Sequence, residues 1–443
     1  MKRPRIVILG AGFAGFQAAR TLSRTYGDAV EVVLVNPTDF AVYLPLLPEV
    51  AAGIVDPRHI SVSITATLPG VRLVLGTVTG LDPKTATVEY IDPEARPGTL
   101  GYDRLIVAVG SVTKVLPIEG ATRHSHGFKG IPEALYLRDH MIRQVELAAV
   151  ADDPAERAAR LTFVVVGAGY SGTEVAAAGQ LLTRALIRRN PLLRGERARW
   201  LLLQLGDHVL PEMRPRMRAT AERVLTRRGV EVRLGTSINR AASEGVTLTD
   251  GEFVGARTVV WTTGVRPDPV VDGFGLPTAA GGRVAVDEYM AVRDHPGIYA
   301  AGDVAAVPDL TRPGQITPMT GQHATRQGKV VARNVAASLG LHGRARPYRH
   351  RNLGFVVDLG GWKAAADPLG VPLSGVLAKA VTRGYHLWSI PANRPRILTD
   401  WVLDAVLPRL SVQLGLVRSG AVPLDTADPE LPYDHSPASV TTL

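Results

Sequence analysis

The sequence predicts an α/β fold made of two Rossmann-like dinucleotide-binding domains, with an amphipathic helical module at the C-terminal end. Three observations carry this prediction: a glycine turn between a buried strand and a helix, a second copy of that pattern, and a change to basic amphipathic segments after Arg344. In the first copy the apolar run at 6–9 leads straight into Gly10-Ala11-Gly12-Phe13-Ala14-Gly15, and a helical pattern follows over 14–22. Gly10 permits the tight turn, Gly12 lets backbone approach a pyrophosphate, and Gly15 lets helix and strand pack closely, with the phosphates at the positive end of the helix. The second strand of this unit, 30–35, is followed by Asn36, where an acidic side chain ordinarily holds the ribose hydroxyls. An amide bonds a hydroxyl too, more weakly than a carboxylate does. The second copy runs from a strand at 161–166 through Gly167-Ala168-Gly169-Tyr170-Ser171-Gly172 to a helix at 173–186, and its second strand at 200–205 carries Gln204 at the ribose position. A neutral residue there removes the repulsion a carboxylate exerts on a 2′-phosphate, so NADPH is less excluded than usual beside NADH. Two complete units point to two dinucleotides.

Composition narrows the chemistry. The 443 residues include no cysteine, which excludes disulfides, thiolate metal sites, iron–sulfur clusters and redox cysteine pairs. No metal site is expected, and any redox work falls to a bound cofactor. A net charge of +9 favours acidic partners: phosphate-rich cofactors, anionic lipid or nucleic acid. Nucleic acid is the poorest of these, because only 5% of residues are aromatic and no recognition motif accompanies the basic stretch. The basic start at Lys2, Arg3 and Arg5 and the apolar continuation are two features of an export signal. That apolar run is short, broken by glycines and followed by Arg20 and Arg24, so a mature cytosolic start is the expectation. No stretch approaches the roughly 18 apolar residues needed to cross a bilayer.

From Arg344 to Arg396 basic residues outnumber acids, of which Asp358 and Asp367 are the two. Over 374–388, helical spacing puts Val376, Leu377, Ala380, Val381, Leu387 and Trp388 on one face and Lys379, Thr382, Arg383 and His386 on the other. A second stripe, Ile397, Leu398, Trp401, Val402, Ala405 and Val406, ends at Pro408. Basic amphipathic helices with Trp near the border suit a lipid interface, so peripheral contact with a membrane surface is expected. Packing on the protein's own surface and homodimerisation through one stripe are the competing readings. The tail from 421 on, rich in Pro, Asp, Ser and Thr, is expected to lie on the surface or to move.

With these pieces in order, the chain resembles the two-dinucleotide flavoproteins that include disulfide reductases, ferredoxin reductases and type II NADH dehydrogenases. The resemblance covers almost the whole chain. Besides the glycine turns it includes Leu105-Ile106-Val107-Ala108-Val109-Gly110 and Trp261-Thr262-Thr263-Gly264-Val265, similar to the strands that close the two units. Gly297-Ile298-Tyr299-Ala300-Ala301-Gly302-Asp303 resembles the family's flavin motif. The resemblance implies FAD on the first unit, with Asp303 at a ribityl hydroxyl or the adjacent phosphate, and NAD(P)H on the second. Lack of cysteine removes the sulfur-dependent members and leaves quinone, ferredoxin or oxygen as acceptor. Residues 43–53 look like the Pro-Leu-Leu-Pro loop of type II NADH dehydrogenases. Residues 318–327 resemble their quinone-site helix start, with Gly321 where Ala usually precedes the Gln, and Arg326 with Gln327 one turn on.

What the resemblance implies is an NAD(P)H:quinone oxidoreductase that pumps no protons. Glu174 is then expected at the nicotinamide, with a part in proton transfer, and Gln322 and Arg326 at the quinone. His323 and Arg326 are candidate proton donors, and Lys379 and Arg383 either guide an anionic group or face lipid and solvent. A ferredoxin-type reductase and a flavoprotein sensor with little turnover are the alternatives. Motif order predicts an FAD domain at 1–115 and 271–340, an inserted NAD(P)H domain at 116–270, and a membrane-docking or dimerisation module at 341–443.

Overall fold

Runs of Val, Ile and Leu with no polar alternation form strands covered on both faces, as parallel sheets require. In Ile6-Val7-Ile8-Leu9 and in Phe163-Val164-Val165-Val166 every side chain is buried. A computed structural model describes residues 3–350 and 353–424. Expectations resting on Lys2 and Arg351, and on the tail from 425, lie outside the described residues. In chain order the elements that build the sites are β1 (Arg5–Leu9), α1 (Phe13–Tyr26), β2 (Glu31–Asn36), α2 (Leu47–Ala51), β3 (Val71–Leu75), β4 (Arg104–Val107) and α3 (Ile131–Ala149). Then come β5 (Thr162–Val166), α4 (Tyr170–Arg189), β6 (Arg199–Gln204), β7 (Val230–Leu234), β8 (Thr258–Trp261), β9 (Val284–Ala285), β10 (Ile298–Ala300), β11 (Ala305–Ala306) and α5 (Gly321–Ser338). The chain continues through β12 (Val356–Asp358), β13 (Ala364–Ala366), β14 (Leu373–Ser374), α6 (Gly375–Ser389) and α7 (Arg394–Val406).

Spatial contacts divide the chain into two units. The first comprises Met1–Val42, Ser61–Val112 and Val265–Arg351, and the second Tyr43–Ile60, Thr113–Gly264 and Asn352–Leu443. The first unit holds a parallel five-stranded sheet of order β10-β4-β1-β2-β3, in which Leu9 is in register with Val35 on one side and Val107 on the other. Its glycine turn thus leaves the carboxyl end of β1 where the connections to the two neighbours diverge, the place where open α/β sheets take ligands. The second unit repeats the plan as β7-β6-β5-β8, with Val166 in register with Leu203 and Trp261.

This division differs from the motif-order boundaries at 115, 270 and 340. Residues 43–60, drawn with the first domain, belong to the second unit, and so does the C-terminal segment from 353 on, whereas 341–350 stay with the first. Packing explains the second point: Val357, Leu359 and Ala365 share a buried cluster with Leu210, Met213 and Met217.

The two C-terminal helices correct one expectation about their polar faces. In α6 the residues turned inward are Ala378, Lys379, Thr382 and His386, while Val376, Leu377 and Trp388 are exposed. Lys379 does not face lipid or solvent: it is 2% exposed. The physical reason is that two carboxylates wait for it inside, Glu49 and Asp358. In α7 only Ile397 and Trp401 are buried, and Leu398, Val402 and Val406 point outward.

Candidate functional site

The two glycine turns superpose in their chemistry. Gly10 and Gly167 hold φ of +91° and +104°, and a Cβ on either would press within 2.7 Å of Ala108 O or 2.5 Å of Thr262 O. A Cβ on Gly15 or Gly172 would collide with the carbonyl oxygen of Gly10 or Gly167. Gly12 and Gly169, in contrast, open on empty space with nothing within 4 Å of a Cβ. These two are the N-caps of α1 and α4, and neither helix has a side-chain cap or a first-turn acid. Each start therefore offers uncapped N–H groups and a positive dipole end to an anion that fits where backbone alone lines the space. Gly110 and Gly264 lie just past β4 and β8, which flank β1 and β5.

At the ends of the second strands the two amides do the same job. Asn36 Oδ1 accepts from Ala11 N at 2.8 Å, and Gln204 Oε1 accepts from Ala168 N at 2.9 Å. Each braces the residue between the first two glycines. Asn36 is buried, and its Nδ2 donates to Thr38 O and Oγ1 at 2.9 and 3.0 Å, so that amide is committed to its own turn.

In the first unit Ser111 Oγ donates to Asp303 Oδ2 at 2.7 Å. Gly302, at φ +82°, donates its N–H to Gln327 Oε1 at 2.8 Å, and Gln327 Nε2 reaches Thr317 Oγ1 at 3.0 Å. Gln327 thus ties the turn at Gly302 to the loop that enters α5. Sequence reasoning placed it merely beside Arg326. The signal was its position four residues after His323 on the inward stripe of that helix. Gln322 and Arg326 are part-exposed on α5. His323 turns inward, shares a 2.9 Å hydrogen bond between Nδ1 and the Tyr348 hydroxyl, and stacks on His350 at 4.0 Å. Burial and the neighbouring His350 push its pKa down to about 4, so it is neutral at physiological pH.

The second unit contains an acid cluster that spacing did not reveal. Glu174, in the first turns of α4, accepts from Asp358 N at 2.9 Å. The Asp358 carboxylate accepts from Lys379 Nζ and, at 2.7 Å, from Gly360 N. Lys379 lies 3.4 Å from Glu49 Oε1, and the other oxygen of Glu49 accepts from Trp401 Nε1. A small cavity is lined by Pro45, Leu46, Glu49, Glu174, Asp358 and His386 among others. His386 Nδ1 lies 3.2 Å from the Tyr43 hydroxyl. Burial raises Glu174 to about 8 against the hydrogen bond that Asp358 N donates to it, and burial also raises Glu49 against the pull of Lys379. With Glu174 held at about 8 by burial, it keeps a proton beside the cavity at neutral pH. Glu49 and Asp358 were legible only as an acid in a Pro-Leu-Leu-Pro loop and an acid in a basic stretch.

Comparison with known proteins shows what the chain is similar to. A family profile described as pyridine nucleotide-disulphide oxidoreductase matches residues 4–328. The chain is 31% identical to the type II NADH:quinone oxidoreductase NdhA of Mycobacterium tuberculosis, over 89% of this chain and 85% of that protein. It is 29% identical to the demethylphylloquinone reductase NdbB of a Synechocystis strain, over 88% and 93% of the two chains. In fold it is similar to Plasmodium falciparum NDH2 solved with NADH, with a TM-score of 0.84 and 17% identity over 93% of this chain and 100% of that one.

Proposed function

This chain belongs to the pyridine nucleotide-disulphide oxidoreductase family and, within it, to the type II NADH:quinone oxidoreductases, and from that premise we infer that it oxidises NAD(P)H and reduces a quinone without moving ions across a membrane. FAD held by the first unit would supply the two-electron chemistry that links hydride from the nicotinamide to two electrons for the acceptor and a released proton. The observation that carries the reading is the doubled unit: two uncapped helix starts, each opening on space fit for a pyrophosphate.

The roles follow the chemistry of each side chain. Gly10, Gly12 and Gly15 would hold the FAD pyrophosphate, with Asp303, oriented by Ser111, at the ribityl chain. Gly167, Gly169 and Gly172 would hold NAD(P)H, and Glu174 would position the nicotinamide and retain a proton for the reduced acceptor. Gln322 and Arg326 would contact the quinone head group. His323, neutral and bonded to Tyr348, is a weaker proton donor than Glu174.

Peripheral docking on the cytoplasmic face of the membrane is supported by the outward apolar faces of α6 and α7 and by exposed Arg394 and Arg396. The apolar surface continues through Leu410, Val412, Leu414 and Leu416. Their backbone is clamped by α3, where Arg138 donates to the carbonyls of Leu410 and Val412 and Asp139 accepts from Leu414 N and Gly415 N. Among the described residues no helix is long and apolar enough to cross a membrane.

The decisive experiment is an anaerobic titration of the FAD-loaded protein. Bleaching of the flavin bands by NADH or NADPH and rapid recovery on adding a short-chain quinone is the expected sequence. Recovery with an acidic iron–sulfur protein but not with quinone would overturn the acceptor.

A further inference from the structure

One strongly basic group in the first unit is buried without a salt-bridge partner among the described residues. Arg283 immediately precedes β9, whose Val284 N donates to Val304 O at 2.8 Å, so its side chain starts beside the turn at Gly302 and Asp303. The residue is 5% exposed. Its Nη1 donates to Thr317 O at 2.7 Å, and its buried Nε has no partner. Among the described residues no carboxylate comes within 4.0 Å of the guanidinium. Asp303 is the acid that acts on it through space, and one oxygen of Asp303 is already engaged by Ser111.

A guanidinium does not discharge in a protein interior, and a buried charge needs a counter-charge and full hydrogen bonding. Arg283 has one bond to a carbonyl that Gln327 and Gly302 also help to fix through Thr317. Asp303, the acid that acts on Arg283, stands at the site read for the flavin, which brings this guanidinium to the same side of the unit. Two-electron reduction of FAD, taking up one proton, leaves the isoalloxazine with one negative charge.

We propose that Arg283 supplies the fixed positive charge that stabilises the reduced, anionic flavin relative to the oxidised, neutral one. The inference rests on FAD binding to the first unit. It assigns to Arg283 a part in setting the reduction potential, separate from the residues that hold the pyrophosphate and ribityl chain.

The test compares wild type, Arg283→Lys and Arg283→Gln, each loaded with FAD, by two measurements: the FAD dissociation constant and the midpoint potential against reference dyes. For Arg283→Gln the ratio of reduced to oxidised flavin at a fixed potential is expected to fall about tenfold, which is about 30 mV for a two-electron couple. Arg283→Lys should keep most of the wild-type potential. A fall in FAD affinity at unchanged potential would overturn the proposal and assign the charge to the phosphates. Equal behaviour of all three would reduce Arg283 to a pin for the Thr317 loop and overturn it too. If the Gln variant does not fold, the wild type still decides: its reduced flavin should stay anionic on titration to mildly acidic pH, and protonation near the value of free reduced flavin would overturn the claim. Failure of the wild type to bind FAD at all would instead sink the underlying reading.

Discussion

Glu174 and Gln204 show how a side chain's partner decides its chemistry. The carboxyl of Glu174 is pushed up to about 8, far above its ordinary 4.5, because burial disfavours the charged form more than the hydrogen bond from Asp358 N favours it. For an acid raised in this way the native state binds more protons than the unfolded chain between those two values. Native stability is therefore full below about pH 4.5 and is lost as pH rises towards about 8. Glu174→Gln removes that slope, so denaturant unfolding at pH 5 and pH 8 should differ less in the variant than in wild type. The same change should lower quinone turnover on the order of 10²-fold, as loss of a positioned acid does, while FAD affinity stays unchanged. Gln204 gives a second residue-scale prediction. Glu at 204 keeps an oxygen to accept from Ala168 N, so the turn survives, and it adds a negative charge at the ribose position. NADPH use should fall on the order of 10- to 100-fold relative to NADH, read as the ratio of kcat/KM values. A ratio that does not move would place the 2′-phosphate elsewhere. The glycines and Asp303 were legible because turn geometry and close approach demand particular residue types. The brace between Gln204 and Ala168 was not, since a backbone partner leaves no trace in spacing.

Among the elements, the most instructive are α6 and α7. Their periodicity showed two faces but did not say which one the fold covers, because amphipathicity measures separation and not partnership. Lys379 is what turns α6: its ammonium lies between Glu49 and Asp358, and the apolar side of the helix is left outside. Removing one member of a buried ion cluster leaves the others uncompensated, so Lys379→Met should destabilise the protein by about 3–5 kcal/mol at pH 8. The defect should be smaller when measured again at pH 5, because burial already disfavours the charge on Glu49 and the variant removes the ammonium that opposes this. A defect that is the same at both pH values would mean that packing of the stem, not charge, holds the helix. Strand placement was read more completely, within one or two residues at most ends, because a run such as 161–166 has one buried solution. The grouping of 43–60 with the second unit was hidden, since its tie is the side chain of Glu49 reaching Lys379 and Trp401, far along the chain.

At the scale of the whole molecule, an enzyme with no crossing helix among its described residues would reach a lipid-borne quinone through a surface that docks on the membrane. Trp388, Leu398 and Val402 are 72%, 50% and 54% exposed, so they contribute little to the folded state in water. In a lipid interface each such side chain gains about 2 kcal/mol by leaving water, and exposed Arg394 and Arg396 add attraction to anionic headgroups. Replacing Leu398 and Val402 together by Asp should leave thermal stability and turnover with a water-soluble short-chain quinone near wild type. Binding to vesicles of anionic lipid, read by co-sedimentation, should drop roughly a thousandfold, since about 4 kcal/mol is lost. Turnover with a long-chain quinone held in those vesicles should fall with it. Raising the salt should weaken wild-type binding without abolishing it, because screening removes the arginine contribution and leaves the apolar one. If the double variant instead splits a dimer in sedimentation while vesicle binding persists, the surface serves a second copy of the chain, and lipid contact must be sought elsewhere.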